Sequence, residues 1–210
     1  MKAKYQKYMD YVEKTLIDAK HDIGRIHPFR SRVQHIKRVV RYVDDLICDI
    51  EKYNEDILYI SAIFHDIGYA FGHENHQTNS EKLFREYARD NGIPKEITEA
   101  VAHIIGTHSD KELMANPDKI SVEHILVMEA DLLDEEGALA ICWGSMASGY
   151  EGDKSYDECM QRINDKLQKR LKKPNPMITD KAKKMWDEKQ YYVKEYIEKL
   201  KSDLKIYELT

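Results

Sequence analysis

Apolar residues recur along this chain every three or four positions, the period of one buried helix face. From Pro28 to about Glu51 the stripe is Val33, Ile36, Val40, Val43, Ile47 and Ile50, with Pro28 suited to a first helical turn. A second run, Ile57 to Phe64, follows Asn54 or Asp56 as its N-cap and closes at His65-Asp66-Ile67-Gly68, where Gly68 reads as a C-terminal cap. Residues 69–75 read as a loop, and a helix from about Asn79 to Asp90 stops at Asn91-Gly92. Ile93-Pro94 opens another helix ending near His108, with Ile97, Val101, Ile104, Ile105 and His108 on one stripe. Ser121 with Glu123-His124 starts a strongly apolar helix reaching Leu133 or beyond. The stretch Gly144 to Gly152 reads as a flexible loop. Two helices then follow, divided by Pro174-Asn175-Pro176, the last with Met185, Trp186, Val193, Tyr196, Ile197, Leu200 and Leu204 facing inward. No segment keeps a strand period, and there is no internal repeat. The expectation is an all-α chain: one domain over 1–210, with a core at about 25–145 and C-terminal helices 153–206 packed on it.

Composition narrows the function. Hydrophobic residues are 42% and charged residues 34%, a balance that suits a folded chain with a charged surface. A formal net charge of -5 argues against coating long nucleic acid or anionic lipid, while leaving room for a pocket that binds a small anion. Cys48, Cys142 and Cys159 are odd in number and lack a CxxC spacing, which speaks against a disulfide framework or zinc ribbon. The N-terminus, MKAKYQKYMDYVEKTL, mixes charge into every turn, and no apolar run approaches a membrane span. The expected location is the cytoplasm, with no membrane partner.

Nine histidines are present, so position matters more than number. His65-Asp66 ends an apolar helix, and two polar side chains buried there need partners. Imidazole and carboxylate together are good ligands for a divalent metal, although a capped helix end also explains the pair. Adjacent helical residues diverge by about 100°, so one ion meets both only beside the helix end. His35 lies mid-helix beside the apolar stripe. Asp131 sits inside the most apolar helix, where, taken alone, it reads as half of a buried ion pair with Arg38 or Arg41.

The order His35, His65-Asp66, Asp131 resembles the HD superfamily of metal-dependent phosphohydrolases, and more closely its small bacterial branch of nucleotide pyrophosphohydrolases and HD hydrolases. The segments that carry the resemblance are Arg32-x-x-His35-x-x-Arg38-Val39, His65-Asp66-Ile67-Gly68-Tyr69, His76-x-x-x-Ser80, Val101 through Ser109 with His103 and His108, and Glu129 through Ala138. The tail from Lys166 to Thr179 adds to it, and the likeness runs from about residue 25 to 200. It implies an HD-domain helical bundle with a C-terminal helical extension. His35, His65, Asp66 and Asp131 would hold a divalent ion (Mn, Mg, Fe, Ni or Zn), with one or two ions in all. That ion would activate a water for attack on the phosphorus of a small phosphorylated substrate, a nucleotide for preference. His76 and His108 are candidates for a second ion or for phosphate. Asp66 itself, Glu74 (to orient water) and Asp134 (one turn past Asp131) are candidates for catalysis. Arg32 and Arg38, with Arg30 nearby, are candidates for phosphate, because a guanidinium fork matches phosphate oxygens. His73 and His103 read as structural or supporting, and His124, seven residues before Asp131, as a residue that orients a ligand.

Three departures matter. Relatives often carry arginine where this chain has Leu132 and Trp143, and Tyr69 replaces a lysine common after HD-Ile-Gly. Trp143 and Tyr150, in the glycine-rich stretch expected to select substrate, are candidates for stacking on a base or for plain packing. Two other functions stay open: a non-catalytic, nucleotide-sensing HD protein, and an HD-type di-iron oxygenase. The long final helix packs either within the chain or in a homodimer.

Overall fold

Amphipathic helices need a second layer to cover their apolar faces, and the computed structural model shows how this chain provides it. It describes residues 2–19 and 29–205, so the expected first turn at Pro28 lies outside the described residues. Among the described residues there are ten α-helices and no strand. The chain divides into two compact units, Met1–Asp134 and Glu135–Thr210. Among the described residues no helix is long and apolar enough to cross a membrane.

The first unit holds α1 (Gln6–Asp18), α2 (Arg32–Leu46), α3 (Glu55–Phe64), α4 (His76–Asp90), α5 (Lys95–Thr107), the short α6 (Lys111–Met114) and α7 (Val122–Asp134). Ser31 caps α2 by accepting from the Gln34 N–H, and Asn54 caps α3 by accepting from the Asp56 and Ile57 N–H groups. Asp56 instead accepts from the Tyr5 hydroxyl. α2 packs on α7 and α3, α3 on α5 and α7, and α4 on α5. Ile36, Val39, Val43, Leu58, Ile63, Phe64, Val101, Ile105, Leu126 and Leu133 close the core. The charged N-terminus conceals a stripe, Tyr5, Met9, Val12 and Leu16, and α1 packs on α3 through it. Tyr5 stacks on Tyr59, while Tyr8 and Tyr11 lie against Phe64 and Tyr87.

Several expected boundaries move. α2 stops at Leu46, and Ile47–Asp49 tightens into a 3-10 turn before Ile50 becomes extended. Residues Ile67–Phe71 form a 3-10 turn where a loop was expected, and α4 starts at His76 rather than Asn79. Gly68 does not cap α3. It lies inside the 3-10 turn, pressed on the start of α4, where it donates to Ser80 Oγ at 2.8 Å.

The second unit holds α8 (Ala138–Glu151), α9 (Tyr156–Leu171) and α10 (Asp180–Asp203), around Ile141, Ile163, Leu167, Val193 and Ile197. The loop expected from Gly144 to Gly152 is instead the second half of α8. Gly144 is there for packing: a Cβ would stand 3.0 Å from Ile163 Cγ1. Gly152, at φ 103°, ends the helix in the left-handed conformation that glycine tolerates best. Trp143 lies under Lys166, whose ammonium is 4.7 Å from its ring, and Tyr150 is exposed on α8. On α10 the inner face also carries Gln190, which donates to the buried Glu136, itself paired with Arg170.

The close approach at Gly68 has a measurable consequence. An added methyl would lie 2.1 Å from the His76 carbonyl oxygen and 2.5 Å from the Ser80 nitrogen, so the 3-10 turn and α4 would have to separate. Gly68→Ala is expected to destabilise the chain by about 1–3 kcal/mol, seen as a lower urea midpoint with an unchanged slope. An unchanged midpoint would contradict this packing.

Candidate metal centre

Each chemistry-bearing side chain sits where a helix presents or ends its apolar face. His35 lies on α2 and is fully buried. His65 follows the last residue of α3, its N–H still bonded to the Ser61 carbonyl. Asp66, at φ -114° and ψ 10°, then turns the chain out of the helix. That turn overcomes the divergence of adjacent helical residues and brings both side chains to one point. Asp131 and Asp134 lie one turn apart on α7, His76 begins α4, and His108 follows α5.

Four atoms converge. His35 Nε2 is 3.2 Å from His65 Nε2, 3.3 Å from Asp66 Oδ2 and 3.2 Å from Asp131 Oδ1. His65 Nε2 is 3.5 Å from Asp66 Oδ2 and 3.9 Å from Asp131 Oδ1. The other ring nitrogens fix the tautomers. His65 Nδ1 donates to the Ala62 carbonyl at 2.8 Å, and His35 Nδ1 donates to Asp134 Oδ2 at 2.7 Å. With Nδ1–H so committed, His65 Nε2 presents a lone pair, His35 Nε2 presents one once its second proton leaves, and the two carboxylate oxygens add more. Ligands about 2.1 Å from one ion stand roughly 3.0–3.4 Å apart, close to the spacing here. The donor set therefore fits a divalent cation, and its N/O chemistry without sulfur suits first-row ions.

A second group borders the first. His76 Nε2 and His108 Nε2 lie 3.6 and 3.5 Å from Asp66 Oδ1, the oxygen turned away from His35. Both use Nδ1 as His65 does, donating to the carbonyl three residues earlier, on His73 at 3.1 Å and Ile105 at 2.7 Å. His65, Asp66 and His108 by themselves bring three ligand atoms together. The Asp131 side chain is 25% exposed whereas those of His35, His65 and Asp66 are at most 3%, so Asp131 marks the side open to solvent.

The cations are placed unlike one another. Arg38 gives both arms of its fork to Asp134, Nε to Oδ1 at 2.6 Å and Nη2 to Oδ2 at 3.0 Å. The expected pairing of Asp131 with Arg38 or Arg41 does not form: Arg38 takes Asp134 and Arg41 takes Asp45. Arg32 donates from Nη1 to Asp66 Oδ2 at 2.6 Å and lies flat on Tyr69, 3.7 Å from the ring centroid. The tyrosine noted as a departure in the sequence is thus the shelf for an arginine, which spacing alone did not reveal. Glu74 is exposed in the loop before α4, and no hydrogen bond among the described residues joins it to the cluster. His73 contributes its carbonyl, and His103 is exposed. His124 faces His103 and Thr107 instead of a ligand, and burial pushes its pKa down to about 4.

Electrostatics follow from this crowding. Burial pushes the His65 pKa down to about 4. Burial also opposes a proton on His35, but hydrogen bonds to Asp131, Asp134 and Asp66 outweigh it and raise its pKa to about 10. Burial works against ionised Asp66 as well, yet the neighbouring His65 and Arg32 hold its pKa well below the usual carboxylate range.

Comparison with known proteins places the chain in a family. Residues 32–136, half of the chain, match the family model described as HD domain, from the first residue of α2 to just past α7. The uncharacterized protein YpgQ of Bacillus subtilis is 29% identical over 115 residues, covering 54% of this chain and 56% of YpgQ. The match thus spans little more than half the length of that relative. Among solved structures, a Lactobacillus plantarum protein has a TM-score of 0.66 at 23% identity, covering 97% of each chain. An HD-superfamily hydrolase from Bacillus thuringiensis has a TM-score of 0.64 at 23% identity, covering 93% of this chain and 97% of its own. YpgQ crystallised in complex with ADP has a TM-score of 0.62 at 22% identity, covering 95% and 96%. At these identities the likeness in structure is one of fold.

The raised pKa of His35 gives a signed prediction. Below about pH 10 the metal-free site holds a proton on His35, and a cation must displace it. Affinity for a divalent ion should rise with pH by about tenfold per unit in that range and level off above it. Calorimetry at neutral pH in buffers of different ionisation enthalpy should show one proton released per ion bound. No release would contradict the assignment.

Proposed function

The chain belongs to the HD-domain family, and on that footing we propose that it is a metal-dependent phosphohydrolase acting on a phosphoester or phosphoanhydride of a nucleotide or related small phosphate. The observation that carries this reading is the meeting of His65 Nε2, Asp66 Oδ2 and Asp131 Oδ1 within 3.3 Å of His35 Nε2, with both rings already committed through Nδ1 to other partners. A divalent ion, with manganese first to be tried, supplies Lewis-acid chemistry there: it polarises a phosphoryl oxygen and acidifies water. His35, His65, Asp66 and Asp131 hold it. Asp134 acts one step behind, keeping the His35 ring oriented and its Nδ1 protonated, and Arg38 keeps Asp134 in place. We therefore assign Asp134 and Arg38 to positioning, in place of catalysis and substrate binding. His76 and His108 face the same carboxylate from its other oxygen, ready for phosphate or a second ion. Exposed Glu74 remains a candidate for orienting water on approach of substrate.

A nucleotide is preferred because the fold relative YpgQ was crystallised with ADP. Nothing in the cluster reads a base, so the phosphate end is the firmer part of the proposal.

The test is hydrolysis with manganese across nucleoside tri-, di- and monophosphates, following phosphate and pyrophosphate separately. Wild type is expected to turn over at least one class, Asp66→Ala to fall to background, and Asp134→Asn to lose about 10–100-fold in activity or metal affinity. Bound metal without turnover on any substrate would favour a nucleotide sensor. Failure to bind metal would overturn the reading altogether.

A further inference from the structure

Arg32 stands out among the charged residues of the first unit. Its side chain is 6% exposed and begins α2, where the Ser31 cap fixes the backbone. A guanidinium is planar and offers donors along two edges. Arg38 spends a full edge on Asp134, whereas Arg32 makes a single bond, from Nη1 to Asp66 Oδ2, and its buried Nε–H has no hydrogen-bond partner among the described residues. An unpartnered N–H away from water is costly and signals a group that is sometimes there. Tyr69, stacked 3.7 Å below the guanidinium, holds its plane without consuming a donor.

The acceptor that Arg32 holds is the informative part. Asp66 Oδ2 is also the oxygen 3.3 Å from His35 Nε2 and 3.5 Å from His65 Nε2, so it belongs to the four-atom cluster. Resting on the metal-site reading above, we propose that Arg32 is a phosphate-binding residue kept closed on Asp66 until a cation takes that oxygen. Two positive groups on one carboxylate oxygen repel each other, which weakens the Arg32–Asp66 bond. An anionic phosphoryl oxygen between them relieves the repulsion, accepting from the idle edge of Arg32 on the side fixed by Tyr69. Metal and phosphate then bind cooperatively through Arg32, and the metal-free protein has little affinity for phosphate. A residue that merely propped up Asp66 would act with the opposite sign on metal binding, because losing it would disorder a ligand.

Calorimetry on the full chain separates the two, using manganese alone and then inorganic phosphate added to the metal-free and manganese-loaded protein. Arg32→Gln is expected to bind manganese as tightly as wild type or more tightly, and to bind phosphate in the loaded state about tenfold or more weakly. Weaker manganese binding, or loaded-state phosphate affinity within about threefold of wild type, overturns the proposal. Should Arg32→Gln fail to fold, Arg32→Lys keeps the charge but not the fork. It should leave manganese affinity unchanged and still weaken phosphate, and full phosphate affinity in that variant overturns the proposal equally. If wild type binds no manganese, the metal-site reading fails. If it binds manganese and the Arg32 variants miss these outcomes, only the inference about Arg32 fails.

Discussion

Lone pairs that face one another in a protein interior repel, and the first unit is organised around one such meeting. Around His35 Nε2, within 3.3 Å, stand His65 Nε2, Asp66 Oδ2 and Asp131 Oδ1, polar atoms set among apolar helix faces. Exposed as a group to solvent only at Asp131, they have little water to screen them. A positive charge among them turns the repulsion into attraction. In the metal-free chain a proton on His35 fills part of that need, held by hydrogen bonds to Asp131, Asp134 and Asp66 that outweigh burial.

The rest of the unit keeps those atoms from relaxing apart. Three histidines, at 65, 76 and 108, spend Nδ1–H on the carbonyl three residues back, so each ring is locked to its own helix end. His35 lies in the first turn of α2, and there a carboxylate holds Nδ1 instead: Asp134, itself gripped by both arms of Arg38. Gly68 lets the 3-10 turn after Asp66 lie on α4, which sets His76 opposite Asp66 Oδ1. Packing, turn chemistry and charge thus converge on Asp66, whose two oxygens divide the cluster between them.

Much of this was legible in the sequence because helical periodicity is a strong signal and because polar residues inside apolar stripes demand an explanation. His35, the His65-Asp66 pair and Asp131 stood out for that reason, and the structure sets His65 Nε2, Asp66 Oδ2 and Asp131 Oδ1 within 3.3 Å of His35 Nε2. What escaped was orientation. Sequence gives no means of telling that Arg38 would turn to Asp134 while Arg32 turned to Asp66, since both lie one helical turn from His35. It also hid α1, whose Tyr5, Met9, Val12 and Leu16 stripe is diluted by lysines, and the helix across Gly144 and Gly149. There glycine reads as a breaker, whereas the buried face of α8 is Ile141, Gly144, Ala147 and Ser148, and Gly144 serves close packing on Ile163.

The central claim is that these four side chains share one ion, and anomalous diffraction from crystals of the chain grown with manganese tests it most directly. The account predicts a peak bounded by His35 Nε2, His65 Nε2, Asp66 and Asp131, each about 2.0–2.3 Å away. A manganese peak held elsewhere, or none at a concentration that loads the protein in solution, would contradict it.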